Sequence, residues 1–159
     1  MNHRHIITPA GRSAVAAGDE ESRKRLFDAR KLVEAAMARQ AARIVDEAHL
    51  ARLKDALEAN RRAIGDHRLF MQTDIEFHRI FFQISGNPIF GSIHAVVVDW
   101  LMKCWGEIER DEVTEQLAFQ GHAKVSDAVA HGDPDAAEQA MNQHLSASWP
   151  IWARQLGHN

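Results

Sequence analysis

The stretch FMQTDIEFHRIFFQISGNPIF, residues 70–90, decides how the chain is read. Phe70, Phe77, Phe81 and Ile84 recur at helix spacing, and Gly86-Asn87-Pro88 closes that helix and opens another. A glycine past the last turn suits a left-handed cap, an Asn oxygen can accept from a free first-turn N–H, and Pro at the first helical position gives up nothing. Working outward, the same period returns on both sides. Leu26, Val33, Met37 and Ile44 form one stripe, and Leu50, Leu53, Leu57 and Ile64 form the next. Ile89, Ile93, Val97, Trp100 and Cys104 make a fourth; Val125 and Val129 begin a fifth; Ala137, Met141, Leu145 and Trp149 make a sixth. Asp46, Asp66 and Asp133-Pro134 mark helix starts, while Gly65 and Gly132 mark ends. No alternating β-branched run and no Asn-Gly hairpin signal breaks the pattern. The expected fold is all-α, an antiparallel bundle of about six helices.

The chain's 159 residues suit one domain with a sizeable core. Residues 1–21, polar and rich in Gly, Ala and Ser, read as a flexible N-terminal arm or linker remnant, and residues 22–159 as the folded domain. Lys and Arg number 19 against 22 Asp and Glu, a net charge of −3. Neutralising phosphates needs a clustered basic excess, which this composition lacks. A single cysteine, Cys104, excludes an internal disulfide and Cys-rich zinc modules, and its stripe position reads as core packing. Trp149 and Trp152 flank Pro150 and could wall a pocket; Trp100 and Trp105 read as core or interface. No apolar run approaches the ~20 residues of a membrane span, and residues 1–21 lack the apolar centre of a signal peptide. A cytoplasmic protein is expected.

Polar residues inside apolar stripes carry the functional signal. The chain has ten histidines and no tyrosine. His78 lies between Phe77 and Phe81, with Asp74 one turn earlier on the same face. His122 shares the face of Val125 and Val129, and His144 follows Ala140 and Met141 inward. Three imidazoles and a carboxylate on three helices suit a divalent ion: zinc first, with nickel, manganese or cobalt as alternatives. The same spacing also fits hydrogen-bonded core histidines, the commoner role of an inward imidazole. His94 is ambiguous; His49, His67 and His131 sit at helix edges, and His3, His5 and His158 near the chain ends.

Arg30 also points along a core stripe, between Leu26, Val33 and Met37. A buried guanidinium needs an anion. That anion is either an internal Asp or Glu or the carboxylate of a ligand held by the planar fork. Nucleotide-binding and serine-hydrolase motifs are absent from the sequence. Glu76, two residues from both Asp74 and His78, faces away from them, which leaves a metal-dependent hydrolase or lyase acting on an organic acid without a general base.

The segments LFDARKLVEAAMARQAARI, TDIEFHRIFFQISGNPIF and GHAKVSDAVAHGDPDAAEQAMNQHL together resemble the C-terminal effector-binding (FCD) domain of FadR-type regulators in the GntR superfamily. NPIFGSIHAVVVDWL is especially similar to the sialic-acid-responsive NanR type. The resemblance implies a non-enzymatic sensor: a metal on Asp74, His78, His122 and His144, Arg30 meeting the carboxylate of a small acid such as a sialic or other sugar acid, and a homodimer. Such regulators also carry an N-terminal winged helix, which residues 1–21 are too short and too polar to form. This chain is therefore expected to be a truncated product or a stand-alone sensor, with DNA contact belonging to the winged helix alone.

Overall fold

A computed structural model describes residues 20–105 and 111–155, with side chains over 21–102 and 111–150. Residues 1–19, which make up most of the expected arm, lie outside the described residues. So do His3, His5, His158 and the side chains of Cys104, Trp105 and Trp152. Six helices follow one another: α1 (Glu20–Ile44), α2 (Glu47–Arg62), α3 (His67–Ile84), α4 (Pro88–Trp105), α5 (Glu112–Ala130) and α6 (Pro134–Gln155). No strand occurs among the described residues. The chain is all-α.

The helix ends follow from local chemistry. Asp46 accepts from the His49 N–H at 2.8 Å and Asp66 from the Leu69 N–H at 3.0 Å, satisfying first-turn donors that have no helical partner. Asn87 and Asp133 do the same ahead of Pro88 and Pro134. Asp111, which the stripes did not mark, caps α5 through Thr114 at 2.8 Å. Gly65 and Gly132 turn the chain with φ of +93° and +64°, a region closed to most side chains. Buried Glu115 accepts from Gly65 N–H at 2.8 Å and so fastens the α2–α3 turn to α5.

Helix α1 packs along α6, α6 along α5, and α3 against both α1 and α2, with α4 outside α1 and α3. Phe70, Phe77, Phe81, Phe82, Leu53, Val125, Val129, Met141 and Leu145 are sealed from solvent between them. Each such side chain contributes about 1.5–3 kcal/mol by burial. The α3 stripe is buried as its spacing predicts. The α4 stripe is buried only in part: Val97 is buried and Ile93 and Trp100 are half-buried, but Ile89 is 65% exposed, and His94 and Leu101 complete the inward face. This helix is apolar nearly all round, so period alone could not choose its inward face. Ile44, at the last residue of α1, is also exposed. Trp149 packs on Phe27 with ring centres 5.1 Å apart. Pro150 stands within α6, one turn before its end.

Candidate metal centre

Four helices deliver the residues singled out in the sequence. Arg30 comes from α1, Asp74 and His78 from α3, His122 from α5 and His144 from α6, all of them buried. Nε2 of His78 lies 3.2 Å from Nε2 of His122 and 3.2 Å from Nε2 of His144. Oδ1 of Asp74 lies 3.2 Å from Nε2 of His122. One potential ligand atom from each histidine falls within 4.8 Å of the others. Phe77 closes the cluster from one side, its ring centre 4.4 Å from that of His122.

A chain of hydrogen bonds sets the tautomer of His122. The Thr73 hydroxyl has one proton and two backbone carbonyls in reach, Leu69 O at 3.0 Å and Phe70 O at 2.9 Å. Having given its proton there, Oγ1 accepts from Nδ2 of Asn60 at 3.0 Å. The Asn60 carbonyl oxygen therefore faces His122 and accepts from Nδ1–H at 2.9 Å. Nε2 of neutral His122 is then a bare lone pair, set beside a carboxylate oxygen and another imidazole nitrogen. Burial lowers the His122 pKa, outweighing the bond that Asp74 offers to the protonated ring, and it pushes His144 well down, with His122 and His78 adding to the effect. At His122 and His144 burial therefore favours the neutral imidazole that a metal requires.

His144 approaches so closely because position 121 is glycine. A Cβ on Gly121 would fall on the imidazole Nδ1 and 2.8 Å from Cγ. A cavity of about 300 Å³ between α5 and α6 reaches His144 and Gly121 and is rimmed by Lys124, Gln120 and Gln143.

The family model of the FCD domain matches residues 25–147. The chain belongs to the FCD domain family. The transcriptional repressor NanR of Cronobacter sakazakii is 35% identical to this FCD domain over 125 residues, 77% of the chain and 48% of the relative. The Citrobacter rodentium repressor of the same name is 36% identical over 131 residues, 79% of the chain and 50% of the relative. The chain thus spans about half the length of the curated relatives it matches. Two solved structures share the fold at lower identity. The GntR protein of Streptococcus agalactiae superposes with TM-score 0.66 at 20% identity, over 89% of this chain and 60% of that one. E. coli McbR/YncC gives 0.74 at 14%, over 86% and 66%.

Two polar residues of this FCD domain touch the cluster without having stood out in the sequence. Glu34 on α1 is 2% exposed, takes Nε–H of Arg30 at 2.7 Å, and sets Oε2 2.6 Å from Nδ1 of His78, off the line of a regular hydrogen bond. Burial alone would raise its carboxyl, but Arg30 and His78 outweigh that and hold it at about 2. The internal partner weighed for Arg30 is thus one turn along its own helix. Asn60 on α2 is the other. Each carried a signal: Glu34 lies four residues after an inward arginine, and Asn60 three after Leu57 and seven after Leu53.

Proposed function

We propose that this FCD domain is the sensor of a GntR-type transcriptional regulator, holding a divalent metal on Asp74, His78, His122 and His144 and reading a small carboxylate beside it. The observation that carries this reading is the bare Nε2 of His122, 3.2 Å from both Asp74 Oδ1 and His78 Nε2. A carboxylate oxygen facing a bare imidazole nitrogen in a buried site is repelled unless a cation lies between them. Imidazole nitrogens and one carboxylate suit zinc first, with nickel, manganese or cobalt as alternatives. When bound, such an ion supplies a Lewis-acidic position for an oxygen of an acid ligand. Arg30 is the second cationic feature, and an acid has to share its guanidinium with Glu34. N-acetylneuraminic acid is the first candidate, from the NanR-type resemblance, with other sugar acids next. In the whole regulator DNA contact belongs to a winged-helix domain, in the cytoplasm. The implied homodimer has apolar surface available on α4, where Ile89, Val96 and Met102 are exposed.

Among the described residues, the enzyme reading lacks a base. Glu76 is engaged by Arg79 at 2.7 and 2.8 Å. Glu34, the buried carboxylate that does touch the cluster, is held at about 2 and meets His78 at Nδ1, behind the ring from Nε2. A general base near neutrality needs the opposite on both counts.

Chelation followed by thermal melting tests the metal. A ligand at a hundredfold excess over Kd adds about 2.7 kcal/mol, so the chelated protein should melt several degrees lower. His122→Ala should remove most of that difference. Equal midpoints with and without chelator, together with no metal by elemental analysis, would sink the metal. For the effector, calorimetry should show the zinc-loaded protein binding the acid and not its methyl ester. Arg30→Lys should bind more weakly, because an ammonium cannot make the two-point contact.

A further inference from the structure

The geometry points to Glu34 and Asn60 as positioning residues, each holding one imidazole by its Nδ1 so that Nε2 of His78 and of His122 face a shared point. The inference rests on the cluster described above but concerns residues outside the four donors. The two act from different helices, α1 and α2, on rings carried by α3 and α5. Asn60 is sealed from solvent and its orientation is fixed by Thr73, so the acceptor at 2.9 Å from His122 Nδ1 cannot turn away without orphaning a buried donor. Glu34 is held just as firmly. Arg30 donates to its Oε1 at 2.7 Å, which leaves Oε2 in close ion contact with His78 Nδ1 at 2.6 Å, off the line of a regular hydrogen bond, so that a small turn of the ring aligns them. A carboxylate behind an imidazole fixes the tautomer and raises the basicity of the opposite nitrogen, and a buried amide oxygen fixes it without the charge. Arg30 accordingly works on His78 through Glu34 as well as through any ligand it meets.

Two readouts separate positioning from mere packing. The first is long-range ¹⁵N–¹H NMR on the metal-free protein, which reports which ring nitrogen carries the proton. His78 and His122 should both be Nδ1–H tautomers in the wild type. Asn60→Leu should shift only His122 toward Nε2–H, and Asn60→Asp, which restores an acceptor, should shift it back. Removing Glu34 alone would strand the Arg30 charge, so the paired change Arg30→Met with Glu34→Leu replaces the ion pair by apolar volume, a swap that cores tolerate. It should release only His78. The second readout is Zn²⁺ affinity by competition with a chromogenic chelator, expected to fall about 10–100-fold in Asn60→Leu and in the paired variant. The midpoint of each metal-free variant monitors folding. Nε2–H tautomers in the wild type, or variants that bind Zn²⁺ as tightly as it does, overturn the proposal. If the wild type binds no Zn²⁺, the metal reading fails by itself, and the tautomers still decide whether Glu34 and Asn60 orient these rings.

Discussion

Gly121 has no side chain where the imidazole of His144 lies, and this constrains the cluster as firmly as any donor does. A methyl at that position must displace the ring or part α5 from α6, since it would meet Cγ at 2.8 Å. Gly121→Ala is expected to weaken Zn²⁺ binding about tenfold or more, the scale seen when ligand positioning is lost. Gly91→Ala on α4, where nothing lies within 4 Å of an added Cβ, should leave it unchanged. Competition titrations on the two variants decide this, and equal affinities would mean that His144 is not needed at the centre. At this scale the histidines were legible because a ligand-type residue inside an apolar stripe contradicts its surroundings. Asp74, His78, His122 and His144 all did so, and all are buried within one cluster. Glu34 and Asn60 were harder to read because their partners lie on other helices. Glu34 looks like half of an ordinary surface i,i+4 pair with Arg30 until α3 is packed over it, and Asn60 is 62 residues from His122. Gly121 carried no signal, since a helical glycine gains meaning only from what approaches it.

Helix α3 presents both Asp74 and His78, so its integrity and the site's integrity are easily confused. They can be separated at its first turn. Asp66 accepts from the Leu69 N–H at 3.0 Å, and Asp66→Ala removes this cap at a cost of about 1 kcal/mol. The metal-free midpoint should fall by roughly 2–4 °C for a chain of this size. Zn²⁺ affinity should hold, because fully buried Phe70 and Phe77 anchor the turns that carry the donors. A large loss of affinity in this variant would show that cap and centre are coupled. Helix ends were the most legible feature of the elements. Asp, Asn-Pro and Asp-Pro starts and glycine ends are satisfied within a few residues, so sequence neighbours suffice to read them. Faces were legible only where one side of a helix is polar. Helix α3 met that condition; α4 did not, and its stripe is buried at Val97 but exposed at Ile89, with His94 and Leu101 turned inward beside it. The choice there was made by the α1 and α3 surfaces against which α4 rests.

Burial holds the imidazoles of His94, His122 and His144 toward their neutral forms, and this should make the bundle's stability depend on acid. His94 on α4 shows it most cleanly, because it is 4% exposed and stands outside the four proposed donors. Its ring packs on Phe82 with centres 4.8 Å apart. Burial lowers its pKa from 6.5 to about 4; Glu34 on α1 pulls the other way, while Arg30 on α1 and His78 and Arg79 on α3 reinforce the lowering. The unfolded chain takes up this proton near 6.5 and the folded chain only near 4. Between those values the unfolded state binds more protons, so stability is fully present above 6.5 and is lost as the pH falls toward 4. Below that the term is flat. The shift corresponds to on the order of 3 kcal/mol across the window. Glu34, held at about 2, and His122 and His144, both lowered by burial, add acid sensitivity of the same sign. Denaturant unfolding of the metal-free protein should therefore give a free energy that declines steeply from pH 6.5 to pH 4. His94→Leu, which keeps an apolar side chain against Phe82 and removes the titration, should flatten the curve by about His94's share. If wild type and His94→Leu trace parallel curves through that window, His94 is not the buried neutral base assigned to it, and the acid dependence belongs to the cluster alone.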